Sequence, residues 1–297
     1  MTFQVFQQRV ARVTCTVTRP SATGVMTNYT YVWEQNRMRI RVSQGGQQFG
    51  NAHVEVMGVP LADMNQISRL WLEPLTPQNT DSLLIETYDG KAFTPLFQGI
   101  IAWSAVDGSE IEAGTVKLVI DANAALPLGN TPAAPYANAG PVSVKDVLTS
   151  IAALADFTVD YAPSAAVYQV TDVRLTGSPL QQIAGLMRQF HDLVWQVRLQ
   201  QIVVFTPGAP ITSDPVRIAV DTGLMKAPTY STSGLQFETV FNPLLRPGIA
   251  LDVETLFDFV NRTKWVARVI NHELDANWPG GVWKTSCAAN SYGAKNN

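Results

Sequence analysis

The residues with the clearest chemical potential lie near the C-terminal end, where His272, Glu273, Asp275 and Trp278 crowd into one short stretch. An imidazole beside two carboxylates is half of an acid/base site, paired carboxylates cleave glycosidic bonds, and an indole face can stack on a sugar. The same residues beside a hairpin turn serve equally well as turn and contact groups. His53, His191 and His272 lie far apart, and none has a second ligand at i+3 or i+4, so no metal is expected. Cys15 and Cys287 stand almost at opposite ends and read as buried thiols, since neither belongs to a C-x-x-C pair. There is no G-x-S-x-G, no P-loop and no G-x-G-x-x-G. No catalytic residue is assigned and no cofactor is expected.

A second constellation lies near the N-terminus. Arg9, Arg12, Arg19, Arg37, Arg39 and Arg41 face only Glu34 in the first 42 residues, interleaved with Tyr29, Tyr31 and Trp33. Arginines alternating with aromatics resemble a single-strand nucleic-acid platform. They are also what protein interfaces enrich. The reading adopted is the interface one, with Arg37, Arg39, Arg41, Tyr31, Trp33 and the distant Trp278 as its residues.

Composition favours that choice. Only 15% of the 297 residues are charged, against about 25% in ordinary soluble domains, which suggests a surface partly covered by other chains. A net charge of −3 argues against a chain that grips phosphates, though not against one that nucleic acid passes. The N-terminus lacks a signal-peptide core, and no apolar run reaches membrane-spanning length. The expectation is synthesis in a cytoplasm without membrane insertion.

The elements that must position these residues fall into zones. Residues 1–122 read as a β-rich domain with an N-terminal arm. In "RMRIRV" Met38, Ile40 and Val42 alternate with arginines, and Val54 and Val56 alternate in "HVEV". "LLIETYD", "LFQGIIAW" and "TVKLVID" continue the series, broken by turn signals at Asp89-Gly90 and Asp107-Gly108. One helix is expected at "LADMNQISRLWL", with Met64, Ile67 and Leu70 on one face. Residues 123–142, rich in Ala, Pro, Asn and Gly, read as a linker or a long ordered crossover.

Residues 143–208 then form a small α/β portion. One helix is capped by Ser143 and buries Val144, Val147, Leu148, Ile151 and Leu154. A second, capped by Ser178-Pro179, runs from Leu180 to Phe190. The strands "LVWQVR" and "QIVVFTPG" follow. Residues 209–297 return to β. The stretch "NPLLRPG", Asn242 to Gly248, connects two strands, since its prolines cannot donate to a central ladder. A hairpin turns at Pro279-Gly280-Gly281, with Trp283, Thr285 and Cys287 on one face.

The order of "SVKDVLTSIAALADF", "GSPLQQIAGLMRQFHDLVWQVRLQQIVVFTPG", "GLQFETVFNPLLRPGIALDVET" and "WVARVINHELDANWPGGVWKTSCAA" resembles baseplate or tail hub proteins of tailed phages, of the Mu-like and T-even type. It is similar also to the N-terminal part of type VI secretion spike proteins. The resemblance covers Ser143 to Ala289 most specifically. It implies a mainly β chain with two similar β-barrel domains and a smaller α/β portion, assembling as a homotrimer whose six barrels make a pseudo-sixfold ring. The implied partners are the tail tube protein, a central spike protein and baseplate wedge proteins. DNA passes through the lumen without specific binding, and the place is the virion tail. Because the chain stops at Asn297, soon after the second barrel, the spike and any lysozyme or peptidase activity are expected on other chains. The alternative is a β-rich carbohydrate-binding or cell-wall-degrading protein using Glu273, Asp275 and Trp278.

Overall fold

Period-two burial builds most of the molecule, because successive side chains of a strand point to opposite faces. The computed structural model describes residues 9–21, 23–45, 49–68, 80–110, 115–163, 165–206, 208–212, 214–232 and 234–294. The first strands are β1 (Ala11–Pro20), β2 (Met26–Trp33), β3 (Met38–Gly45) and β4 (Asn51–Met57). After helix α1 (Leu61–Ile67) come β5 (Ser82–Tyr88), the long β6 (Phe93–Asp107) and β7 (Lys117–Asn123). Ala11, Val13, Cys15 and Val17 of β1, Met38, Ile40 and Val42 of β3, and Val54 and Val56 of β4 all point into one core. Met64 and Ile67 of α1 join them, while Leu70, expected on the same face, lies outside the described residues.

The expected linker is ordered. It holds α2 (Leu126–Asn130) and most of β8 (Tyr136–Ser143). Then follow α3 (Val144–Ala153), β9 (Thr158–Tyr161), β10 (Gln169–Leu175), α4 (Pro179–Met187), β11 (Val194–Arg198) and β12 (Gln201–Phe205). β8 pairs with β10, and β12 lies between β11 and a parallel β9. Ser143 caps α3 by accepting from the Asp146 amide. Four of the five expected apolar residues are buried; Leu154 is exposed, because the helix has ended at Ala153 and Leu154 is already its C-cap. Helix α4 stops before Phe190, which instead stacks on Tyr168 at 4.8 Å. The buried side chains of this α/β portion are continuous with the first β core.

Ser178 and Gln181 form a reciprocal capping box at the start of α4, ahead of Pro179. Ser178→Ala is expected to lower stability by about 1 kcal/mol, the usual worth of an N-cap. A urea titration followed by circular dichroism measures it.

The last zone contains β13 (Val216–Ile218), β14 (Thr229–Ser231), β15 (Gly234–Val240), β16 (Ala250–Val253), α5 (Asp258–Asn261), β17 (Thr263–Ala276) and β18 (Trp283–Ala294). Its second core gathers Leu235, Phe237, Leu251, Val253, Trp265, Ile270 and Cys287. The two β zones share one thirteen-stranded sheet, ordered β14-β15-β18-β17-β3-β4-β7-β6-β5-β1-β2, with β16 attached to β17 and β13 to β16. β17 makes the join. Its first half pairs with β16, and Val269 to Ala276 pair with β3, while β18 runs along its other edge. Ile270 accordingly belongs to the second core and Leu274 to the first.

Gly45 lets the end of β3 approach the backbone of β17. It has φ +87°, and a Cβ there would lie 2.1 Å from the Arg268 carbonyl oxygen. The proline-rich connection has a similar role. Gly248, at φ +84°, donates its amide to the Ala267 carbonyl and accepts from the Ile211 amide, both at 2.8 Å. Gln196 of the α/β portion donates to the Pro247 carbonyl. The segment therefore ties the last β zone to the α/β portion as well as linking two strands.

Candidate protein interface

Positions 39 and 41 of β3, 53 and 55 of β4, 273 and 275 of β17 and 284 of β18 all lie on the face opposite the core. Antiparallel register turns this into cross-strand rows. Lys226 reaches Glu238 at 2.9 Å, and Lys284 reaches Glu238 at 3.1 Å and Glu273 at 3.7 Å. Glu273 stands opposite Arg41, and Arg41 opposite His53. His53 Nδ1 lies 2.7 Å from Asp121. A neighbouring row runs from Asp275 to Arg39 and Glu55, where Lys117 bridges Glu55 and Asp107 at 3.3 Å each. Charges alternate in sign along the second row, and along the first from Lys226 to Arg41. The ammonium groups of Lys226 and Lys284 hold the Glu238 carboxyl below its ordinary range by hydrogen bonding.

The structure brings some of the expected interface residues together. Arg39 stacks over the Trp278 ring at 4.4 Å, with Arg37 at 6.0 Å and Arg41 farther along the same strand. Tyr31 and Trp33 lie on β2 instead. Trp33 is a core residue, buried to 6% exposure, and Tyr31 stacks on it while donating to Gln66 at 2.7 Å. They do not share a surface with the arginines of β3. The remaining N-terminal arginines face internal partners. Arg12 meets Glu34 at 3.1 Å and covers the Phe93 ring, and Arg19 meets Asp81 at 2.8 Å.

The acid/base reading meets occupied groups. Asp275 accepts from the Val282 amide at 2.9 Å and thereby closes the hairpin turn. Glu273 faces Lys284, and the Trp278 ring carries Arg39. His272 points the other way, into the interior, bonded through Nδ1 to Thr285 Oγ1 at 2.9 Å and packed edge-on against Phe241. Burial holds its pKa down at about 3, so it takes no part in chemistry on the outer face. Cys15 and Cys287 are buried and unbonded to one another. Burial pushes the Cys15 thiol up to about 12 and raises Cys287 likewise, so neither is a nucleophile at neutral pH. Among the described residues no group of His, Cys, Asp and Glu side chains is placed to hold a metal ion, and no helix is long and apolar enough to cross a membrane.

By sequence, neither a family model nor a curated protein matches the chain. By structure, the match runs end to end. The 43 kDa tail protein of prophage MuSo2 from Shewanella oneidensis superposes with TM-score 0.56 at 8% identity, over 94% of this chain and 96% of that one. The fold is that of phage tail proteins. A tail protein from Neisseria meningitidis MC58 gives TM-score 0.56 at 12% identity, covering 96% of this chain and 97% of that one. An E. coli component of the type VI secretion system, described as structurally similar to the phage T4 tail proteins gp27 and gp5, gives 0.53 at 10% identity, covering 88% and 76%. The likeness to tail proteins thus extends, at the level of fold, beyond Ser143 to Ala289 and over the β-rich N-terminal half as well.

Proposed function

We propose that this chain is the structural hub of a phage tail: a homotrimeric ring that adapts a sixfold tail tube to a threefold central spike and leaves a channel for DNA. The observation that carries the reading is the end-to-end likeness to whole tail proteins, which leaves almost no part of either chain over. Residues 1–122 and 209–297 supply the two barrel-like lobes, with 143–208 as the α/β portion and 123–142 as the crossover. Two separate cores support setting the last zone apart from the first. So does the chain path, because residues 34–37 alone connect β2, at one end of the sheet, to β3 near its middle. Three copies then present six comparable lobes.

The partners of the ring are a second and third copy, the tail tube protein, the central spike and baseplate wedge proteins. The face carrying the alternating charges suits a DNA passage. Its cations already have carboxylate neighbours, so a passing phosphate gains little by binding there and releases few counterions. An end-on image of the virion tail tests the reading. The expected outline repeats three or six times around a hole, and a solitary copy without a central opening would overturn it.

The carbohydrate reading has its own test. Glu273→Gln with Asp275→Asn keeps the acceptor for the Val282 amide. Folding and assembly are expected to stay unchanged. Loss of cleavage of a cell-wall polymer on that change would revive the enzyme.

A further inference from the structure

The ring reading requires a contact that joins one copy to the next, and two apolar features at opposite ends of the molecule have the form of such a pair. The first is a projection just before β17. Leu256 is 98% exposed, and Phe257 and Phe259 are each 51% exposed. Large apolar side chains in sequence-adjacent positions on a monomer surface mark an interaction site. The loop is held in that shape. The Thr255 amide donates to Asn261 Oδ1 at 2.7 Å, Asn261 Nδ2 donates to the Thr255 carbonyl at 2.8 Å, and the Phe257 amide donates to Thr255 Oγ1. Phe259 is wedged against Tyr230 at 4.7 Å, and the Trp265 indole N–H donates to the Val260 carbonyl. A projection fixed before binding loses little entropy when it docks.

The second feature is an open apolar cavity of about 510 Å³ lined by Met57, Val59, Leu61, Val106 and Val116, with Arg37 at its rim. Leu61 is 63% exposed there. The volume lies within the roughly 300–1,000 Å³ of ordinary binding pockets, room enough for Leu256 and an accompanying phenylalanine. At the rims, exposed Arg37 adjoins the cavity, and Asp258 adjoins the projection, where it is held only by a solvent-exposed pair with Arg262 at 3.7 Å that docking can exchange for Arg37.

The two cannot meet within one molecule. α5 leads directly into Thr263 at the start of β17, whereas the cavity lies at the Ala276 end, where Met38 pairs with both Ala276 and Val56. At about 3.3 Å per residue those ends of β17 stand roughly 40 Å apart. A complementary pair on opposite ends of one rigid strand joins copies head to tail, and such contacts close into a ring when the rotation allows.

We propose that the Leu256–Phe257–Phe259 projection of one copy seats in the Met57–Leu61–Val116 cavity of the next. The inference rests on the ring reading and names the surface that closes the ring. Native mass spectrometry of the full chain tests it. Wild type is expected as three copies, and Leu256→Asp and Leu61→Glu each as a monomer that keeps the wild-type far-UV circular dichroism and melts cooperatively, at a temperature lowered only by the loss of assembly. An equimolar mixture of the two variants retains one intact projection and one intact cavity, so it gives a dimer and stops there. Independently, the double variant Leu256→Cys/Leu61→Cys should oxidise to covalent species ending at three chains, because the native cysteines are buried. A trimer surviving both single substitutions, a mixture that stays monomeric, or wild type that never assembles overturns this contact. The hub reading itself is decided separately, by the end-on image.

Discussion

Replacing Arg19 with alanine is expected to destabilise the fold by about 3 kcal/mol, in the range for breaking a buried ion pair from one side. The guanidinium lies 2.8 Å from Asp81, whose side chain is almost fully buried, and the Thr18 amide donates to the other carboxylate oxygen. It also donates to the Gln66 and Ile67 carbonyls at the end of α1, where a helix exposes unpaired acceptors. Alanine leaves the carboxylate buried and without its guanidinium partner. Asp81→Asn in the same chain should recover part of the loss, and a double-mutant cycle of urea midpoints measures the coupling. Equal midpoints for Arg19→Ala and wild type would show that the pair contributes nothing.

The second large effect is acid sensitivity through His272. In the unfolded chain the imidazole titrates near its ordinary 6.5, while burial holds the native value at about 3. Between those values the unfolded state binds a proton that the native state does not, so stability falls as the medium is acidified. The slope from this residue is about 1.4 kcal/mol per pH unit through that window, and it vanishes above the unfolded value. Thr285 Oγ1 occupies Nδ1, but Nε2 has no partner among the described residues, so a new proton there finds no acceptor. His272→Gln should flatten the dependence of unfolding free energy on pH between about 3.5 and 6, leaving the slope of the other titrating groups. An unchanged slope would mean that His272 is not the acid-sensitive group.

Both predictions concern residues that the sequence presents misleadingly. His272 sits beside Glu273 and Asp275, and adjacency suggests a shared site. Strand alternation sends neighbours to opposite faces, so the histidine enters the interior while the carboxylates stay outside. Arg19 belongs, by sequence, to a run of uncompensated arginines. Its carboxylate arrives from the strand at Ser82 and its neighbours, far along the chain, and Arg12 and Arg39 are matched in the same way by Glu86 and Glu55. Local charge excess therefore says little about surface charge in a sheet built from distant strands.

What the sequence determined by itself is what short-range physics controls. Alternating apolar residues marked β3, β4, β5 and β7, Ser143 and Ser178 marked the starts of α3 and α4, and Pro279-Gly280-Gly281 marked the hairpin. The same alternation runs through β1, where Ala11, Val13, Cys15 and Val17 alternate with polar residues. Only the tertiary structure decided that β17 would join both β zones into one sheet, that Trp33 would enter the core, and that β8 would form within an Ala- and Pro-rich stretch by pairing with β10. Strand partners are set by backbone hydrogen bonds and by the burial of whole faces. Neither leaves a mark in the order of neighbouring residues.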